Sequence, residues 1–251
     1  MRTEPMVGNR KRTLNLGLGL YFAGILLGAV VAFLAVWGDL EASLFDTLFK
    51  AEQPLASLSC PVLMTLDEDV TIEAAFTNRG ERDENLLVRA RVSQGFASLI
   101  REERQTFSLP PGGSDTAVFQ VTADDAAWDR VVLARVTTTR NAPYRRLVGS
   151  SCGVLLVPVR GVTGQQIWLS LISLSLILTI LGGYLWQNGR SRPFPIHVQK
   201  IWRLMLAFAG LVGAAMLASL LQQWLLGGAL LLILFLLIIS ATDSFSEASI
   251  G

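Results

Sequence analysis

Residues 14–37 contain no charged side chain. As a helix that run reaches about 36 Å, enough to cross a hydrocarbon core of about 30 Å with some tilt. Nothing else in the sequence constrains the fold so strongly. Such a run must either be buried in lipid or be removed as a leader. Arg10, Lys11 and Arg12 stand directly before it and would suit the basic region of a secretory signal. Signal cores are usually about 7–15 residues long and end in a small-x-small site. This run is longer and no clear site of that kind follows, so it is read as an uncleaved transmembrane helix.

A second apolar stretch covers residues 167–186, with Trp168, Tyr184 and Trp186 near its ends. Aromatic rings favour those interfacial depths. The last apolar region, 204–241, would measure about 55 Å as a single helix, too long for one crossing. Gln222, Gln223 and Trp224 interrupt it, and Gly227 and Gly228 follow. Two spans, 202–221 and 225–241, joined by a tight polar turn are expected. One long helix bent at the glycines is the alternative. Only 16% of the chain is charged, against about 25% in soluble domains, and the deficit lies in these four runs.

Orientation follows from the basic residues. Arg2, Arg10, Lys11 and Arg12 precede the first span, and Arg190, Arg192, Lys200 and Arg203 surround the loop at 187–201. The positive-inside rule places both groups in the cytoplasm. The expected protein is a multi-pass protein of the cell membrane with cytoplasmic termini (1–13 and 242–251) and with residues 38–165 outside. Its net charge of +1 offers no basic excess for nucleic acid.

The outer segment begins with an amphipathic connector, 38–59, in which Leu40, Leu44, Phe45, Leu48 and Phe49 fall at helical spacing. From residue 60 the period changes to two. Val70, Ile72, Ala74 and Phe76 alternate with polar neighbours, as do Leu86, Val88, Ala90 and Val92. A short run ends at Phe107 and Leu109, and Pro110-Pro111-Gly112-Gly113 breaks the chain. Ala117, Phe119 and Val121 follow, then Val132, Ala134 and Val136, then Val154 and Leu156. About seven short strands with turn chemistry between them predict an antiparallel β-sandwich over 60–160. The fold class is therefore four transmembrane α-helices plus an extracytoplasmic, immunoglobulin-like antiparallel β-sandwich.

The two cysteines, Cys60 and Cys152, both fall in this outer domain, one placed before its first strand and one before its last. An oxidising compartment permits a disulfide between them. Two free buried thiols are the competing reading.

Val70-Thr71-Ile72 leading to Phe76-Thr77-Asn78-Arg79-Gly80, followed by Leu109-Pro110-Pro111-Gly112-Gly113-Ser114 before an alternating strand, resembles the CARDB and related immunoglobulin-like domains of bacterial surface proteins. There, a Thr-Asn-x-Gly turn ends an early strand and a Leu-x-Pro-Gly turn opens a later one. The resemblance covers roughly residues 60–158 and none of the helices. It implies a fold, with adhesion or docking roles only in general terms, and no catalytic or ligand residues.

Motifs that carry chemistry are missing. His197 is the single histidine, in the loop near Pro193 and Pro195. No cysteine pair has metal-ligand spacing, and no phosphate loop or nucleophile elbow is present. The acidic groups Asp67-Glu68-Asp69 and Asp124-Asp125 read as solvated turn charges rather than a calcium site. The interiors of the spans hold no ionisable residue, which argues against a pump or transporter working alone. No cofactor and no metal are expected. The spans do contain small residues: Gly24 and Gly28 in the first, extended by Gly17 and Ala32, and Gly210 with Ala214 in the third. Ser170, Ser173 and Ser175 interrupt the second. Small faces let helices approach closely, first among the chain's own helices and second against another subunit. The expected function is a non-catalytic accessory or scaffold subunit of a larger membrane complex, in contact with lipid and other membrane subunits. An extracytoplasmic ligand-binding receptor or sensor subunit is the alternative.

Overall fold

The computed structural model describes residues 5–45, 55, 57–140, 147–189, 196–221 and 223–247. The chain forms two compact units, a helical one comprising Met1–Val36 with Leu169–Gly251, and a β-rich one, Trp37–Trp168.

The described residues form four helices: α1 Pro5–Leu44, α2 Gly164–Asn188, α3 Ile196–Leu220 and α4 Trp224–Glu247. Three carry segments long and apolar enough to cross a membrane, Arg12–Leu44, Gly164–Asn188 and Ile201–Leu220, whereas Trp224–Ser240 is a shorter apolar helix. The break between Leu220 and Trp224 divides the 204–241 region into two helices. His197 and Lys200, expected in a loop, belong to the first turns of α3.

α1 does not stop at Trp37. It continues to Leu44 and takes in the start of the connector expected at 38–59. Charge returns at Asp39, but charge does not end a helix, and no proline intervenes. Residues 46–54 and 56 of the connector lie outside the described residues. In the helical unit, α1 buries Gly17, Tyr21, Gly24, Gly28, Val31 and Ala35, while Phe22, Leu26, Val30 and Phe33 are exposed. The buried positions alternate by four and three, the period of helices that pack side by side. Tyr21, Ile25 and Ala32 join Trp186, Met205, Phe208, Val212 and Met216 in one apolar cluster.

The described residues of the β-rich unit form eight strands: β1 Leu58–Ser59, β2 Leu63–Thr65, β3 Val70–Thr77, β4 Glu84–Gln94, β5 Phe96–Leu109, β6 Ser114–Val121, β7 Val131–Arg140 and β8 Leu147–Val157. They form a three-stranded sheet, β1-β3-β6, and a five-stranded sheet, β2-β8-β7-β4-β5. The expected all-antiparallel arrangement is corrected at one place, because β2 pairs with β8 in parallel, Leu63 opposite Leu155. Two strands from opposite ends of the unit meet there without a hairpin, so no turn dictates antiparallel pairing.

One core lies between the sheets. Ile72, Ala74 and Phe119 from one face Val88, Val92, Val136 and Val154 from the other. The alternation read in the sequence is the burial pattern of β3, whose residues are buried and exposed in strict turn. β5 is much longer than the run ending at Leu109 suggested. It is an edge strand, and its Arg and Glu residues hide the apolar period over 101–104.

Candidate functional site

The small-residue face of α1 is filled by the chain's own helices. A Cβ on Gly24 would meet the Thr179 backbone nitrogen at 2.6 Å and the Ser175 carbonyl oxygen at 2.8 Å. On Gly28 it would meet Ser175 Oγ at 2.6 Å and Val212 Cγ1 at 2.7 Å. Such separations leave no room for any larger residue. The close approach is used for bonding: Ser175 Oγ donates to the Gly24 carbonyl at 2.8 Å in a buried position. Tyr21 Oη donates to the Met205 carbonyl and ties α1 to α3. Trp186 of α2 stacks on Trp202 of α3 with centroids 5.8 Å apart. Gly182 of α2, whose added Cβ would meet the Gly17 carbonyl at 2.7 Å, completes the contact. In the sequence it stands beside Gly183 with no second small residue four positions away on either side, so no small-x-x-x-small pattern marks it. Across the bundle the picture reverses. Gly210 has nothing within 4 Å of where a Cβ would stand, and Ala214 is half-buried.

In the β-rich unit, Cys60 and Cys152 form a disulfide with Cα atoms 6.5 Å apart. Cys152 lies within β8 rather than before it, a correction to its expected place. Its neighbour Gly153 meets the end of α1: a Cβ on Gly38 would stand 3.2 Å from the Gly153 carbonyl oxygen. Asp39 Oδ1 accepts from the Gly153 N–H at 3.3 Å. β2 pairs with β8 only from Leu155 onward, so this N–H would otherwise be an open edge donor.

Asp67, Asp69 and Asp124 are exposed, as expected of solvated turn charges, whereas Glu68 and Asp125 are structural, a correction to that expectation. Glu68 Oε2 accepts from the Thr65 N–H at 3.2 Å and the Gly164 N–H at 2.7 Å, which puts a carboxylate at the positive end of α2. Asp67 pairs with Arg160 at 3.6 Å. Asp125 is 5% exposed. Its Oδ2 accepts from the Thr122 N–H at 2.9 Å and from Arg101 Nη2 at 2.9 Å. Arg101 also donates to the Gln120 carbonyl at 3.0 Å, and Gln105 Nε2 donates to the Val118 carbonyl at 2.8 Å. Side chains of β5 thus cap the free carbonyls of β6, and the open groove beside them is lined by Gln94, Glu103 and Thr122. Among the described residues no three His, Cys, Asp or Glu side chains converge as metal ligands would.

No protein-family model and no curated protein matches the chain. Solved structures give partial likenesses of fold. A CARDB domain from Pyrococcus furiosus, in complex with di-metal ions, is 14% identical with a TM-score of 0.30, covering 40% of this chain and 91% of that one. A β-glucuronidase from Bacteroides uniformis is 13% identical with a TM-score of 0.30, covering 35% of this chain and 11% of that one. A red sea bream transglutaminase is 16% identical with a TM-score of 0.29, covering 43% and 16%. The chain thus spans only a small part of the two enzymes.

Proposed function

We propose that the chain is a non-catalytic accessory or scaffold subunit of a larger membrane complex. It crosses the membrane four times with both termini in the cytoplasm, and it docks through its helices and an outer, immunoglobulin-like β-sandwich. One observation carries the reading. The small face of α1 is consumed by internal packing, whereas Ala207, Gly210 and Gly213 on α3 are exposed, with open space beside both glycines. Helices in lipid associate through faces that let backbones approach, so α3 is the side offered to another subunit. The reading is also consistent with Glu68 and Asp125 of the outer domain, whose carboxylates serve its own turns and strand edges.

The test is purification in a mild detergent followed by native mass spectrometry. Stoichiometric membrane polypeptides should travel with the chain. Recovery of the chain with lipid alone, from cells expressing it at its natural level, would overturn the reading. The receptor alternative draws on the groove beside β5 and β6, but there Arg101 and Asp125 are already paired with each other.

A further inference from the structure

Among the described residues from 57 to 163, the exposed large apolar side chains of the β-rich unit are gathered at one end. β2 and β8 run in the same direction and finish together, Thr65 opposite Val157. β7 starts at that end, Val131 opposite Leu155. β4 finishes there and β5 starts there, with Gln94 opposite Phe96. Among the described residues from 57 to 163, the exposed large apolar side chains Leu66, Phe96, Leu99, Trp128, Val159 and Val162 all lie at or just beyond this end, and only Val118 does not. The turns at the opposite end, 78–83 and 110–113, carry none.

The same end holds the start of α2. Thr65 Oγ1 donates to the Val162 carbonyl at 3.0 Å, and Glu68 holds the Gly164 N–H. The apolar part of α2 begins at Ile167, about one turn later. The last turns of α1 are there too: Ala42 and Phe45 pack with Ala127, Val131 and Leu133, and Ala97 and Ile100 of β5 lie against them. Phe96 and Leu99, adjacent in sequence to Ala97 and Ile100, are 58% and 54% exposed.

Trp128 adds an independent observation. It is 54% exposed, and its backbone N–H donates to the Gly95 carbonyl at 3.0 Å, which sets it beside the β4–β5 hairpin. Trp128 and Asp129 have φ of 53° and 55°, and Arg130 N–H closes the turn on the Ala127 carbonyl at 3.1 Å. That is a mirror-image turn, whose central positions favour Asn and Gly. A tryptophan there accepts backbone strain to hold an indole away from its own core.

We infer that this rim, Phe96, Leu99 and Trp128 with Leu66, Val159 and Val162, seats in the headgroup–acyl boundary of the bilayer that the chain's own helices cross. The inference rests on the reading that the helices span a membrane. Lipid is the occupant because the same end of the β-rich unit carries the last turns of α1 and the first turn of α2, the helices read as spans, and because Trp and Phe favour the bilayer interface. The indole N–H stays near water there while its ring leaves it.

The full chain, with Cys60 and Cys152 oxidised, is reconstituted in phosphatidylcholine–phosphatidylglycerol bilayers. A fluorophore is placed on one added cysteine, and nitroxide lipids quench it at shallow or deep positions. Labels at Phe96→Cys and at Ser98→Cys, an exposed neighbour kept in case the first variant folds poorly, should be quenched by the shallow nitroxide. A label at Thr77→Cys, opposite Ser114 at the far end, should not. Adding Trp128→Ser should reduce the quenching at Ser98→Cys. A label at Leu26→Cys on the exposed side of α1 reports the spanning helix itself through the deep nitroxide. Quenching at Leu26→Cys, with the rim labels no more quenched than Thr77→Cys, would overturn the rim inference and leave the membrane reading standing. Absence of quenching at Leu26→Cys as well would remove both.

Discussion

Single residues carry unequal loads in this molecule, and three substitutions separate their roles. Trp128 stands at a positive φ that costs an L-residue about 1–2 kcal/mol. Trp128→Gly should therefore raise the stability of the β-rich unit in detergent by about 1 kcal/mol, read from thermal unfolding by circular dichroism. A drop in stability would show that the indole packs usefully on its own unit. Gly24→Leu and Gly210→Leu form a contrast. At Gly24 the new side chain collides with the backbone of α2. Overpacking costs about 1–3 kcal/mol even where side chains can yield, so the yield of folded chain should fall. At Gly210 the space is open, so yield should hold while any partner is lost from the purified complex. Equal yields for both variants would contradict the packing described for α1.

At the scale of elements, the strands were legible where one face is fully buried. Val70, Ile72, Ala74 and Phe76 in β3 announce their period because every second residue joins the core. β5 concealed its length because, on a sheet edge, Arg101 to Arg104 alternate in charge rather than in hydropathy. The end of α1 was misplaced for a related reason: hydropathy falls at Gly38 and Asp39, but the backbone remains helical as Ala42 and Phe45 find partners in the β-rich unit. The small face of α1 was visible as Gly24 and Gly28, whereas its match on α2 at Gly182 was not. Glu68 as the cap of α2 was not legible at all, since donor and acceptor lie 96 residues apart. Glu68→Ala should lower the urea midpoint of the β-rich unit, with a stability loss of about 1 kcal/mol. No loss would mean that water serves Gly164 equally well.

For the whole molecule, the membrane reading makes a topological demand. A reporter fused after Gly251 should report the cytoplasm, and one inserted in the turn at 110–113 should report the exterior. A C-terminal reporter found outside would leave an odd number of crossings, and α4, the shortest apolar helix, would be the one in doubt.

The bond between Cys60 and Cys152 also governs how the molecule answers a pull. α1 leads into the β-rich unit and α2 leads out of it, so tension between the two helices would load this unit in series. With the disulfide intact, the backbone it encloses, a separation of 92 residues, is shunted out of the load path. At about 3.5 Å per residue, that is about 320 Å of slack that cannot be paid out. In a single-molecule stretching record, reductant should lengthen the unravelling step by that amount, while the oxidised chain yields only the short leads on either side. The link would make the β-rich unit a fuse of fixed length between two helices.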